Sequence, residues 1–473
     1  MNKLALATVV AIAIAVRLIF VFAFPNSGGD WDIYSTVAQN VLDGCGVSLS
    51  TPGSGECAPH FGGNQLPGFP AFVAAIWWLT DHSDMAVRVA QMLCYAAALA
   101  WLMRAVLVLT KAPRIALLVG LVMALSPLQV AWPRFTQTET LALATNIWVA
   151  AELLLSLSEK RLRMIPLSLA FVAAIFTRLD GVLLSVPIAV ACFLIYRPTQ
   201  ALRQGLIFAL LTALPLTLWA VRNVSVGLPI MPQGMVLPNN APTPYGYIAW
   251  CRSWMTEEYQ RPGALYPPNR MVYSGIAIDS RAYDSSEEKA EVERWLVELA
   301  QHDRQPFPPS IDTRFARLAR ERVERSYYRA YISNNVSRAL ALWRNPFSSF
   351  AWPNELPGDF GHQARLEVAR SGLAGVFSMA QRYPVEAVTK ALTGGYRYLL
   401  LGLTLGIFLV SLRRNSGDIG IVIKLVFAVF VARTMFFAVT NNVETRYTVE
   451  AVPWMELGVV LAIWGRRHMA KVS

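Results

Sequence analysis

Long apolar runs recur along this chain, and no other feature limits its fold as strongly. Ten stretches, 4–24, 85–109, 115–132, 139–157, 164–177, 181–196, 205–221, 396–412, 419–440 and 447–464, are built almost wholly from apolar residues. A helix needs roughly 20 such residues to cross a bilayer, and only helices or closed barrels satisfy their backbone polar groups there. Charged residues make up 15% of the sequence, against about 25% in ordinary soluble chains. These features exclude a disordered chain and argue against a cytosolic enzyme. They predict an all-α polytopic membrane protein of about ten spans. The shorter run 67–79 reads as an interfacial or re-entrant helix. Residues 178–180 form a tight turn between two short spans.

Basic residues set the orientation. Lys3, Lys111, Arg114, Lys160, Arg161, Arg163, Arg197, Arg203, Arg413, Arg414, Arg466, Arg467 and Lys471 fall in alternate loops, which are therefore expected to be cytoplasmic. Both termini then lie in the cytoplasm, and the loops 25–66, 81–84, 133–138, 222–395 and 441–446 face outward. The first apolar run is longer than the core of a signal peptide and no small-x-small site follows it, so it reads as an uncleaved first helix. The chain carries 42 basic and 31 acidic residues, a net +11. Thirteen of the basic residues are topology-setting flanks, so the charge gives no reason to expect a nucleic-acid partner.

The chain divides into a first transmembrane part (1–221, with the outer loop 25–66), an outer cap (222–395) and a second transmembrane part (396–473). The cap has 20 basic and 17 acidic residues and is the only stretch of soluble-like composition. It opens on a proline-rich irregular segment. Ser285 and Glu288 then form a capping box before a helix that presents Val292, Trp295, Leu296 and Leu299 on one face. Asp312 is expected to cap a longer helix with Phe315, Ala319, Val323, Tyr327 and Tyr331 on one face, ending before Pro346. Cys45, Cys57 and Cys251 fall outside, where disulfides form. A Cys45–Cys57 bridge and three free thiols are both open readings. Cys94 and Cys192 lie in spans.

No Walker A motif, Rossmann glycine fingerprint, HExxH or CxxC occurs, and His60, His82, His302, His362 and His468 are scattered. ATP-driven transport and zinc proteolysis therefore have no support. Charged and polar residues instead gather at the outer ends of the spans: Asp30, Asp32 and Tyr34 after the first; Glu139 at the start of another; Arg178 and Asp180 at the tight turn; Arg222 and Asn223 at a span end; Glu444, Arg446 and Tyr447 before the last. Arg17 lies deeper in the first span. Arginine binds phosphate through a charged fork, and a nearby carboxylate can take a proton from a hydroxyl. A lipid phosphate leaving group with a hydroxyl nucleophile would use both. A transporter or flippase of a lipid-linked or anionic substrate would also place arginines along a path, and a non-catalytic envelope scaffold is a third reading.

In the order of these motifs the sequence resembles the GT-C superfamily of polytopic glycosyltransferases, in the branch of protein O-mannosyltransferases and lipid A aminoarabinose transferases. The segment GGDWDIYSTVAQNVLDG places Asp30 four residues before Tyr34, with Trp31 and Asp32 where the family often has Glu directly after the Asp. LPGFPAF (66–72), the pair Thr138-Glu139, the turn Arg178-Leu179-Asp180, the series Trp219, Arg222, Asn223 and Gly227, and the series Glu444, Arg446, Tyr447 and Pro453 follow in family order.

The resemblance implies a sugar carried on a polyprenyl phosphate. That sugar is delivered on the extracytoplasmic side, by inversion, to a hydroxyl of a lipid, glycan or protein. It implies Asp30 as base, with Asp32 and Glu139 as further carboxylates, and Arg178, Arg222, Arg446 and Arg17 as donor-phosphate candidates. Tyr34, Asn223, Glu444 and Tyr447 would support them. Some family members use a divalent cation, so Asp30, Asp32 and Glu139 are candidate Mg²⁺ or Mn²⁺ ligands. The expected location is a bacterial inner membrane, with membrane lipid as a constant partner.

Overall fold

The computed structural model describes residues 3–55, 57–58, 66–228, 230, 241–344, 350–353, 371–412 and 417–465. His60, Pro346, His362, Arg413, Arg414, His468 and the basic C-terminal flank lie outside them. The described residues form helices and turns with no strand. Their only bridge is an isolated pair between Asn26 and Phe135.

The membrane part begins with α1 (Lys3–Ala23), two short helices α2 (Trp31–Leu42) and α3 (Gly68–Thr80), then α4 (Asp84–Thr110), α5 (Pro113–Ala124), α6 (Glu139–Glu159), α7 (Met164–Thr177), α8 (Ser185–Ile195) and α9 (Pro198–Ser225). The cap contains α10 (Tyr245–Trp254), α11 (Ser286–Ala300), α12 (Pro309–Arg325), α13 (Asn334–Arg344) and α14 (Leu373–Arg382). The chain returns through α15 (Pro384–Leu412), α16 (Gly417–Val439) and α17 (Val452–Val460). Among the described residues, six helices, α1, α4, α6, α9, α15 and α16, are long and apolar enough to cross a membrane. The other expected spans are present as shorter or composite helices, and α3 matches the expected short helix at 67–79.

Two expected spans are broken, each for a local reason. The run 115–132 is helical only to Ala124. Pro127 disfavours helix in the residue before it, and its ring would clash with the carbonyl of Met123. That carbonyl and the next are met from other helices. The Arg17 guanidinium donates to Ala124 O at 2.9 Å and Met123 O at 3.3 Å, and the Tyr95 hydroxyl lies 3.1 Å from Met123 O. The last span is a 3-10 turn (Thr445–Ala451), then α17, then a π turn (Leu461–Gly465). Pro453 at the start of α17 lacks the amide that a continuous helix would use.

Helix α6 lies at the centre of the bundle, with most of its residues buried, and every residue of α17 is buried. The α1, α9 and α15 faces are largely open, as lipid-facing spans are. A Cβ at Gly68 would collide with the Phe176 carbonyl, so that glycine lets α3 seat against the end of α7.

The cap has its own core of Tyr247, Trp250, Trp295, Phe307 and Phe315 with their neighbours. Ser285 caps α11 as expected, its hydroxyl accepting from the Glu288 amide at 3.1 Å. Val292, Trp295 and Leu299 are buried and Leu296 packs against them. The Glu288 carboxylate turns instead to the Asp284 amide and to Arg322.

The expected long helix from Asp312 is corrected at both ends. It begins at Pro309, and the Asp312 carboxylate accepts the Tyr247 amide of α10 at 2.8 Å rather than capping its own helix. It ends at Arg325 because Ser326 is extended, so Tyr327 and Tyr331 leave the buried face and are exposed. Cys45 and Cys57 are bridged, while Cys251 is free and buried in the cap core.

Candidate active site

At the end of the bundle that carries the cap, charged side chains from five separate segments converge. Glu139 is the first residue of α6 and is buried. Arg178 follows α7 in extended conformation, which turns its side chain back across the bundle end. Its guanidinium lies 3.1 Å from each of Glu139, Asp180 and Glu450, and it donates to the Thr138 hydroxyl at 3.0 Å. Arg433 of α16 donates to Asp180 at 2.6 Å, to Glu450 at 2.7 Å and to the Tyr447 carbonyl at 2.9 Å. Arg178, Asp180, Arg433 and Glu450 thus close a buried ring, with Glu139 attached through Arg178. Such a ring persists only because each charge has partners, since an unpaired buried ion costs several kcal/mol.

A second, more open set adjoins it. Arg446 lies 2.7 Å from Glu444 and 3.5 Å from the Asp30 carboxylate. The side chains of Arg446 and Asp30 are 35% and 44% exposed, whereas that of Arg178 is 14% exposed. The Tyr447 ring is shared by Arg178 and Arg446, whose guanidinium carbons lie 5.4 and 5.3 Å from its centre. Tyr34 of α2 is buried against Phe69, and burial beside Asp30 and Glu139 pushes its hydroxyl pKa up, so it stays a neutral donor. Burial alone would raise the Glu444 carboxyl, but Arg446 and Arg261 outweigh it and hold it below the ordinary carboxylate range.

The cap closes on this set through a short segment. Arg261 lies 3.2 Å from Glu444 and donates to Asn441 O at 2.8 Å and Asn442 Oδ1 at 3.0 Å. The Glu258 carboxylate accepts from the Thr445 amide at 3.2 Å and its hydroxyl at 3.1 Å.

The sequence candidates therefore separate. Asp30, Tyr34, Glu139, Arg178, Glu444, Arg446 and Tyr447 are brought together. Arg222 instead donates to Val47 O at 2.7 Å and to Asn223 Oδ1 at 3.0 Å, so Arg222, steadied by Asn223, holds the disulfide-bearing loop. Arg17 is buried in the break after α5 and serves those carbonyls. Asp32 is exposed in the first turn of α2. Among the described residues, no three His, Cys, Asp or Glu side chains stand close enough to hold one metal ion. The expected set Asp30, Asp32 and Glu139 is thus not assembled as ligands.

Arg433, Glu450, Arg261 and Glu258 belong to the arrangement and were not singled out in the sequence. Arg433 and Glu450 carried a signal, because an ionisable residue inside an apolar run is itself a flag. Arg261 and Glu258 lie in an irregular cap segment that has no pattern to mark them.

No family model matches the chain, and no curated protein matches it significantly. Two solved structures are similar to it. The crystal structure of ArnT from Cupriavidus metallidurans bound to undecaprenyl phosphate is 13% identical with a TM-score of 0.38, over 97% of this chain and 78% of that one. The apo crystal structure of the same protein is 12% identical with a TM-score of 0.39, over 96% and 77%.

Proposed function

We propose that this chain is a membrane glycosyltransferase. In this reading it moves a sugar from a polyprenyl-phosphate donor to a hydroxyl of a lipid, glycan or protein on the extracytoplasmic side. The observation that carries the reading is the Asp30–Arg446 pair, a carboxylate and a guanidinium 3.5 Å apart and both open at the mouth of the site. Transfer from a phosphate ester needs a base for the incoming hydroxyl and a cation for the departing phosphate, and this pair supplies one of each. Arg178 is already shared among three carboxylates, so it positions the site rather than receiving the phosphate.

Asp30 takes the hydroxyl proton as the acceptor oxygen bonds to the anomeric carbon. The bond from that carbon to the phosphate oxygen breaks on the opposite face, its electron pair stays on the phosphate, and Arg446, parted from Asp30 by the sugar bound between them, meets the new charge. The product is inverted. Asp30 then returns its proton to water.

A transporter or flippase is the second reading. The broken last span, with Glu450 and Glu456 buried along it, favours it, since interrupted helices with buried charge line many transport paths. Membranes containing the protein are incubated with labelled polyprenyl-phosphate sugar. Label that leaves the lipid for an acceptor supports transfer. Label that stays on the lipid and changes leaflet supports transport and overturns it.

A further inference from the structure

Helix α13 and the π turn before it (Arg329–Ser333) are inverted relative to a helix in water. Tyr328, Ile332, Val336 and Leu340 recur every four residues and are 52% to 71% exposed, with Tyr327 and Tyr331 exposed beside them. Two polar residues point the other way, while Arg329 and Arg344 near the two ends are exposed in ion pairs with Asp284 and Glu257. Asn334 is buried and donates to Ser253 O at 2.8 Å, and the buried Arg338 donates to Met255 O at 2.9 Å and to Arg252 O. A helix that turns its polar face to protein and its apolar face outward is suited to an apolar surrounding.

We propose that this face of the cap is seated in the lipid leaflet on the cap's side of the membrane. Depth is fixed by the far end of α13. Ala341, Leu342 and Trp343 are buried in the core of the membrane part. The Trp343 ring packs on Phe430 at 4.9 Å, and its indole donates to the Thr434 hydroxyl at 2.9 Å. Thr434 precedes the end of α16 by five residues, about 7.5 Å at 1.5 Å per residue, so the end of α13 lies below the end of that span.

Beside the Phe430 and Thr434 that Trp343 contacts, α16 exposes Val431, Met435, Phe436 and Val439. From Tyr328 to Leu340 the exposed side chains follow the depth of a bilayer, and Arg344 beyond them is paired with Glu257. Tyrosines, which favour the headgroup level, come first, and Ile332, Val336 and Leu340 follow toward the deeper end. Lipid is the occupant this gradient fits. A protein partner would have no reason to grade the row by depth. A lipid-seated α13 would hold the cap at a fixed height over Glu444 whatever the reaction, because α13 grips the end of α10, a few residues before Glu258 and Arg261.

Nitroxide labels at Val336→Cys, Leu340→Cys and Ile332→Cys, in a Cys94→Ser background, test the proposal in the full chain reconstituted in vesicles. Met435→Cys serves as the lipid-facing reference and Val297→Cys, on the open face of α11, as the water-facing one. Collision with dissolved oxygen is compared with collision with a water-soluble nickel chelate. The expected result is that positions 336 and 340 favour oxygen several-fold, as 435 does, with 332 between the references. Chelate access at 336 and 340 equal to that at 297 would overturn the proposal. So would shielding from both agents, the sign of a second copy or a protein partner on this face.

Discussion

Glu444 is gripped by two arginines from different parts of the chain: Arg446, two residues on, at 2.7 Å, and Arg261 of the cap, at 3.2 Å. One carboxylate thereby ties the cap to the residue that also faces Asp30. Its pKa is depressed in the folded protein, so its contribution to stability is full above the unfolded value and lost as pH falls through the folded one. The Glu444→Gln variant is expected to melt below wild type at neutral pH. The gap should hold down to about pH 4, the ordinary carboxylate range, and close below it. Thermal unfolding of both proteins across that range checks the sign. A gap that widened in acid would contradict it.

Asp30 is the only carboxylate that the open part of the site shows toward Arg446 besides Glu444, among the described residues. On the proposed mechanism, Asp30→Asn keeps the shape and removes the base. Loss of a positioned general base costs roughly 10²- to 10⁴-fold in rate. The variant should lose that much in kcat with donor binding retained, whereas Asp32→Asn should stay near wild type. Single-turnover transfer of labelled sugar separates the two, and wild-type turnover by Asp30→Asn would remove it from the chemistry.

The sequence made some of this legible and hid the rest for physical reasons. Apolar runs revealed the spans, because lipid demands them wherever the chain crosses. The outer-end motifs led to Asp30, Glu139, Arg178 and Arg446, because charge at a span end is costly unless used. Arg222 belongs to the same motif series but serves Val47, and no one-dimensional pattern distinguishes a guanidinium that meets a substrate from one that meets a carbonyl. Tyr327 and Tyr331 fitted a helical period, yet the face they mark looks outward. Periodicity identifies an apolar face but not whether protein or lipid covers it. Arg261 was hidden because its role depends on a contact across 180 residues with Asn441.

Arg433 contacts Asp180 and Glu450 at 2.6 and 2.7 Å in a region closed to water. Replacing it by Leu leaves three buried carboxylates with Arg178 alone. Breaking a buried ion pair on one side costs about 3–5 kcal/mol, because the remaining charge stays buried. Arg433→Leu should therefore lower the melting temperature in detergent sharply. Adding Glu450→Gln should recover part of the loss, since it removes one of the stranded charges. A double variant less stable than the single one would show that Glu450 has other work.

The loop closed by the Cys45–Cys57 bridge is held a second time by Arg222, which donates to Val47 O at 2.7 Å, and a third time by Asn40, which donates to Ser48 O and Ser50 O at 2.9 Å each. A disulfide closing a loop of this size contributes about 3 kcal/mol by constraining the unfolded chain. Cys45→Ser with Cys57→Ser should speed proteolysis within 47–58 and lower transfer modestly, because α2 and Asp30 lead directly into the loop. Arg222→Gln should produce the same proteolytic pattern, and the combination should add little, since both restraints act on one segment. If Arg222 instead bound the donor phosphate, Arg222→Gln would raise the donor KM strongly with the bridge intact and leave proteolysis unchanged. The pair of readouts, cleavage rate and donor KM, therefore decides whether this arginine holds the loop or the substrate.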